Sequence, residues 1–377
     1  KYVVLNVGDL FHAGFGANAM AEAAAANDTS VGHEVFWGFM ANQGEAIIYG
    51  LIFVAITMLI VLGGVGGGIE KVCSIGMPAL FVMLIICIVR ACTLEGAVDG
   101  LKYMFVPGWA VANGVIKEAP SFFEVLSTAG GQMFFSLSLG MGAMITYGSY
   151  LDKKENLQKN AILIIVMDTL VALMAGLCVI PGRFALDPSG SLGGPTLLFV
   201  TMQNVFNRMG PVGPIFGILF YLLVVFAAVS SSISLLEVIV AHFVDKARIA
   251  GKGDKRKPYT LIAAACVGVG CILVCADALG TSGIAPANLL GMTGDLPGWS
   301  ADWLDFWDML SEGIMMPLGA MLMSLMIGWE IGPDVVKEEC EASGHAMGGY
   351  GFFKVCVKFI TPLIMVLVLY GQIKSFF

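Results

Sequence analysis

Eight stretches of this chain, at about 46–62, 73–90, 122–151, 160–180, 212–244, 258–277, 309–329 and 353–373, are apolar, almost free of charge and long enough to cross a bilayer as helices. A hydrocarbon core of about 30 Å takes about 20 apolar helical residues to span. Inside lipid every backbone amide has to be satisfied by the segment itself, which leaves helices or closed barrels. Runs of this length select helices, so the chain reads as an all-α polytopic membrane protein. Composition agrees: of 377 residues, 58% are hydrophobic and 13% charged, against about 25% charged in soluble domains. Two or three water-soluble domains are thereby excluded. A net charge of -8 offers no basic footprint for nucleic acid. His12, His33, His242 and His345 lie too far apart in sequence to suggest a zinc site. Cys87, Cys178, Cys266, Cys271 and Cys275 sit inside apolar runs and read as packing residues.

Lys and Arg set the orientation, because positively charged connections stay on the cytoplasmic side. The connection 245–257 holds Lys246, Arg248, Lys252, Lys255, Arg256 and Lys257, and 152–159 holds Lys153, Lys154 and Lys159. The connection 278–304 has neither Lys nor Arg but carries Asp295 and Asp302. Connections 63–72, 152–159, 245–257 and 330–352 therefore face the cytoplasm, and 91–121, 181–211 and 278–304 face outside. In 181–211, turn signals at Pro181-Gly182, Asp187-Pro188 and Gly193-Gly194-Pro195 bracket an apolar piece, Thr196 to Phe206, with the length of a short re-entrant helix. The glycines of 63–68 lack the Lys-Ser/Thr ending of a phosphate loop and read as a tight turn between spans. Residues 2–15 are too short to cross a membrane and read as the tail of a helix.

Two runs, 122–151 and 212–244, exceed one span, which implies tilt, a break or extension beyond the membrane. In the first, Gly140 and Gly142 flank Met141, with Ser136 and Ser138 just before. Two readings fit: close helix packing through small residues, or a helix that unwinds at mid-membrane, where freed carbonyls ligate cations. Asp168 interrupts the next span. A carboxylate there costs roughly 2.5–3.5 kcal/mol on insertion scales and marks either a functional group or a helix-end residue paired with a neighbour. Ser230, Ser231, Ser232 and Ser234 cluster within a turn and a half of the 212–244 run, with Glu237 just beyond. Such hydroxyls either bond their own helix or offer hard oxygen ligands. No H-E-x-x-H or G-x-S-x-G motif and no nucleophile–base pair supports an enzyme.

The stretch from Phe134 to Tyr150, FFSLSLGMGAMITYGSY, resembles the sixth helix of the neurotransmitter:sodium symporter family. Gly68 to Pro78 (GIEKVCSIGMP) with Ile88-Val89-Arg90 resembles its fourth-to-fifth connection and fifth helix. Phe226 to Ile233 (FAAVSSSI) resembles its eighth, and Asp305-Phe306-Trp307 the outer start of its tenth. The resemblance implies an inverted-repeat transporter fold with a broken helix in the middle of the membrane. Residues 1–377 would form a single transmembrane transporter domain, with 1–15 the tail of helix three and 46–373 helices four to eleven. On this reading the chain is N-terminally truncated and lacks helices one, two and most of three.

The function implied is sodium-coupled symport of a hydrophobic or aromatic L-amino acid by alternating access, in a multi-pass protein of the cell (inner) membrane. Two sodium ions are expected in the full-length protein. Position by position, Phe135, Ser136, Ser138, Gly140, Met141, Ser231 and Leu235 are implied to bind substrate, Met141 facing its side chain. Ser136 and Asp168 match the first sodium site, and the Asp168 carboxylate is expected to be buried beside Ser136, which would make chloride dispensable. The Ala227 carbonyl with the Ser230 and Ser231 hydroxyls match the second sodium site. Asp305 matches the outer gate, and Asp245 with Tyr150 the inner one. The competing readings are a channel-like or sensor protein of the same fold without coupled transport, and an inactive truncated copy.

Overall fold

The computed structural model describes residues 1–11, 30–186, 194–253, 255–294 and 296–376. Among them every regular element is helical. Seven helical stretches are long and apolar enough to span a membrane: Gln43–Leu62, Val65–Cys92, Leu157–Ala185, Gly210–Ile249, Arg256–Asp277, Trp303–Ile331 and Tyr350–Phe376. The eighth apolar run is divided into two shorter helices, Phe122–Ser136 and Ala143–Gly148. The 213–249 segment, by contrast, is one unbroken helix, which leaves no break in the second over-long run.

The chain forms two units: Lys1–Ala119, Leu170–Leu236 and Lys246–Ala276 make the first, and Pro120–Thr169, Glu237–Asp245 and Asp277–Phe377 the second. In the first unit, Tyr2, Leu84, Cys87, Cys178, Met202, Phe206, Phe220 and Tyr221 share a core. The rings of Phe199 and Tyr221 stack at 5.9 Å, and Tyr2 lies 5.0 Å from each. The buried amides of Asn6 and Gln203 bond each other at 2.9 and 3.2 Å, which lets two polar side chains sit in that apolar setting without loss. The turn expected at 63–68 is shorter than that: it falls at Gly63 and Gly64, and Val65–Ile69 is already a π-helical turn that opens the next span. A Cβ on Gly68 would lie 2.0 Å from the Ile60 carbonyl oxygen, so only hydrogen fits. Arg256 closes the same helix end, its guanidinium donating to the Val61 carbonyl at 3.0 and 3.2 Å, where a cation also complements the helix dipole.

In the second unit, a capping box starts the 122–136 helix. Ser121 accepts from the Glu124 amide, and the Glu124 carboxylate accepts from the Ser121 amide at 2.8 Å. This helix and Thr361–Phe376 approach closely because both carry small residues. A Cβ on Gly130 would meet Val368 at 2.6 Å, and one on Gly371 would meet the Ser127 hydroxyl at 1.8 Å. Without a hydrophobic drive between helices in lipid, such close approach is the main source of packing energy. Phe134, Met316, Met365 and Val368 form the buried centre.

Several sequence expectations are corrected. The helix read as ending at 180 runs on to Leu186, through Pro181. A proline removes one N–H and crowds the preceding turn. The helix nevertheless continues past this point, and Gly100 lets the neighbouring backbone come close to it, since a Cβ there would lie 2.7 Å from the Pro181 Cα. The connections also contain helices, Ser30–Ala41 and Ala97–Phe105, that apolar run length did not suggest. Residues Gly194–Asn207 are helical, which includes the piece expected at 196–206. The expected signals at Asp187-Pro188 and Gly193, Asp295, and the end of the first segment at 12–15 lie outside the described residues.

Candidate functional site

The 122–136 helix stops by a C-terminal motif in which the Leu139 N–H donates to the Phe134 carbonyl at 2.9 Å and the Ser138 N–H to Phe135 at 3.2 Å. That pairing is the Schellman arrangement, and it places one residue in the left-handed region. Here that residue is Ser138, with φ +54, where a side chain costs roughly 1–2 kcal/mol relative to glycine. Gly140 and Gly142 follow at φ +75 and +83. The next helix opens with the Thr146 N–H on the Gly142 carbonyl at 3.0 Å. Residues 137–142 are thus non-helical backbone, a turn followed by bends, between two helices, and of the two readings of this stretch the structure takes the broken helix.

The break is held in place by its neighbour. A Cβ on Gly140 would lie 2.2 Å from the Met316 carbonyl oxygen, and one on Gly319 would lie 2.9 Å from the Gly140 carbonyl oxygen. Both positions need glycine for the strands of backbone to meet. Gly319 was not singled out in the sequence, where it is one glycine among 48. Met141 is half-buried and packs with Leu139 against Phe134, Met316 and Met365, and Phe135 is 55% exposed.

Beside the break, the Ser136 hydroxyl lies 2.8 and 2.7 Å from the two carboxylate oxygens of Asp168. Asp168 is half-buried rather than buried, because the residues before and after it on its helix face outward. A hydroxyl and a carboxylate here make a set of hard oxygen donors, chemistry that suits an alkali cation.

In the first unit the 213–249 helix buries Val229, Ile233 and Leu236 and exposes Ala227, Ser231 and Leu235, four residues apart. Spacing of four keeps these three on one face. Ser230 and Ser231 both donate to the Ala227 carbonyl, at 2.9 and 3.3 Å. The carbonyl and two hydroxyls read as ligands in the sequence therefore converge on a single point. The serines do bond their own helix, and to ligate a cation each would turn its proton away from Ala227.

Of the gate residues, Asp305 is exposed in the first turn of Trp303–Asp308, its amide donating to the Asp302 carboxylate at 2.7 Å. Tyr150 donates its hydroxyl to Glu237 Oε1 at 2.7 Å, and Glu237 is fully buried. Asp245, the acid expected beside Tyr150, lies exposed two turns further along the same helix. Glu237, just beyond the serine cluster in sequence, thus has Tyr150 as a partner from 87 residues away, a separation that hides the pair from sequence reading.

A break with left-handed residues in a membrane helix, flanked by clustered oxygen donors, is a feature of secondary transporters, and comparison with known proteins agrees. The family model of the sodium:neurotransmitter symporter family matches residues 40–377. The chain belongs to that family. It is similar to the uncharacterized sodium-dependent transporter YhdH of Bacillus subtilis (strain 168), 32% identical over 89% of this chain and 68% of the relative. An uncharacterized sodium-dependent transporter of Haemophilus influenzae is 31% identical over 86% of this chain and 65% of its own length. The chain thus spans about two thirds of these curated relatives. Among solved structures, MhsT in complex with L-phenylalanine superposes with a TM-score of 0.74 at 30% identity, covering 98% of this chain and 78% of MhsT.

Proposed function

We propose that the protein is a sodium-coupled symporter of hydrophobic or aromatic L-amino acids that works by alternating access in the cell membrane. The observation that carries this reading is the unwound segment at 137–142 lying beside the Ser136–Asp168 pair. Unwound backbone at membrane depth is tolerated where it lines a cavity or meets a partner. Ser136 and Asp168 would ligate one sodium ion, and Asp168 would supply the negative charge that makes chloride unnecessary. The Ala227 carbonyl with the Ser230 and Ser231 hydroxyls would ligate a second. In the second unit, Phe135, Ser136, Ser138, Gly140 and Met141 would contact the amino acid, and in the first unit Ser231 and Leu235 carry the same proposal.

Moving two sodium ions down their gradient would drive uphill substrate movement, each charge contributing about 2.3 kcal/mol per 100 mV. The left-handed residues at 138, 140 and 142 would serve as the joint about which the two half-helices change angle. Asp305 is proposed for the outer gate, and Tyr150 with Asp245 for the inner one. The MhsT complex with L-phenylalanine supports the aromatic substrate class. Counterflow of labelled L-phenylalanine and L-leucine in vesicles carrying the full-length protein tests the reading. Exchange that needs sodium is expected. Exchange indifferent to sodium, or none at all, would favour the channel-like or sensor alternative.

A further inference from the structure

The serine turn of the 213–249 helix divides its hydroxyls between two duties. Ser230 and Ser231 point back to the Ala227 carbonyl. Ser232 reaches a different helix, its Oγ lying 2.8 Å from Oγ1 of Thr57 in the Gln43–Leu62 helix. Thr57 is 5% exposed. Along 46–62 its only companion with a hydrogen-bonding side chain is Tyr49. Thr57 Oγ1 also lies 3.1 Å from the Phe53 carbonyl, and Ser232 Oγ 3.0 Å from that of Val229. Two hydroxyl protons therefore serve three contacts, and whichever hydroxyl donates across the interface releases its own carbonyl.

Apolar contact is non-directional and leaves a helix free to roll or slide, whereas a hydrogen bond fixes a point on its surface. Successive residues are turned by about 100° around a helix. Holding Ser232 against Thr57 thus sets where Ser231 and Ser230 point. We propose that Thr57 is a positioning residue for the cation-ligating serines: its bond to Ser232 fixes the rotation of the serine turn and thereby the sodium affinity of the Ala227–Ser230–Ser231 group. The proposal rests on the sodium reading of that group given above.

The test is the sodium dependence of amino-acid uptake by the full-length protein in liposomes, with Thr57→Val, Thr57→Ser, Ser232→Ala, the Thr57→Val/Ser232→Ala double variant, and Ser230→Ala as reference. Val matches Thr in shape, and in Thr57→Val the Ser232 proton still has the Val229 carbonyl, so no buried donor is orphaned. Interhelical hydrogen bonds in membranes are worth about 3-fold on average and about 18-fold at most in double-mutant cycles. Thr57→Val and Ser232→Ala should each raise the half-saturating sodium concentration within that range, with maximal uptake retained. Thr57→Ser should behave as the parent, and the double variant no worse than the weaker single one. If Ser230→Ala shifts the sodium dependence and Thr57→Val does not, the positioning role is refuted while the sodium reading stands. Loss of maximal uptake at unchanged half-saturation would mean that Thr57 only packs, and also refutes it. If Ser230→Ala itself leaves sodium dependence unmoved, the sodium reading fails and this proposal falls with it.

Discussion

The Ser136 hydroxyl sits almost equidistant from both carboxylate oxygens of Asp168, at 2.8 and 2.7 Å, across 32 residues of sequence. One proton serves two acceptors, at the point where the 122–136 helix gives way to unwound backbone. The group is an oxygen cluster with one formal negative charge beside the break, which is the arrangement on which the sodium reading depends.

Removing that charge should weaken sodium dependence more than any other single change. A hydrogen bond to a charged group is worth about 1.5–3 kcal/mol, or roughly 10- to 150-fold. Asp168→Ala should abolish sodium-dependent uptake in the full-length protein. Asp168→Asn, which keeps one oxygen, should raise half-saturation by about that factor. Wild-type sodium affinity in the alanine variant would remove Asp168 from the ligand set.

The glycine contact under the break gives a stability prediction. Gly140→Ala places a Cβ 2.2 Å from the Met316 carbonyl oxygen at φ +75, combining overlap with backbone strain of about 1–3 kcal/mol. Its thermal unfolding in detergent should occur several degrees below the parent. Gly319→Ala, at 2.9 Å from the Gly140 carbonyl oxygen, should be milder but in the same direction. Unchanged unfolding in both would mean the two segments do not meet as described.

How much of this was legible in the sequence follows from what each signal encodes. Apolar run length located the spans, because lipid imposes it directly. The Ser138–Gly142 pattern left packing and unwinding as alternatives, since small residues serve both. Whether Ser231 or Ser232 faces a partner depends on which helix lies alongside, information that sits at Thr57, 175 residues away from Ser232. Pro181 misled because a Pro-Gly pair is also a turn signal, and the sequence does not show that the helix runs on through it to Leu186.

Tyr150 and Glu237 should behave as a coupled pair. Glu237 is fully buried, and losing one donor to a buried acceptor costs about 1–3 kcal/mol. Tyr150→Phe should lower the unfolding temperature, and Glu237→Gln, which still accepts a bond, should do so less. Strict additivity in the Tyr150→Phe/Glu237→Gln double variant would show that the 2.7 Å contact carries no energy.

Asp334 lies outside the spanning segments, and its carboxyl is held below the ordinary range by the Tyr350 hydroxyl that donates to it, with Lys354, Lys337 and Lys358 adding to the effect. A lowered folded value means the contact stabilises above about pH 4, the ordinary Asp range, and is lost as pH falls through the lower folded value. Carboxyl NMR titration should give a midpoint below the ordinary value, moved upward by Tyr350→Phe. A midpoint at the ordinary value in the parent would contradict the contact.

Met141 tests substrate class. Its thioether is flexible and adapts to bulky groups, where a Phe ring is rigid. A misfit of one or two methylenes is worth about 1–3 kcal/mol, so Met141→Phe should depress Trp and Tyr uptake roughly 10-fold or more relative to Leu and Val. Met141 also packs against Phe134, Met316 and Met365. Equal loss for small and large amino acids would assign it to that packing alone.

Coupling of substrate to sodium shows itself in accumulation against a gradient. Full-length protein in sealed liposomes, loaded with potassium and diluted into sodium, is given labelled L-phenylalanine. Internal substrate should rise well above the external concentration, collapse when an ionophore dissipates the sodium gradient, and fail to rise in the Asp168→Ala variant. Internal substrate that only equilibrates with the outside, whatever the sodium gradient, would contradict coupled transport.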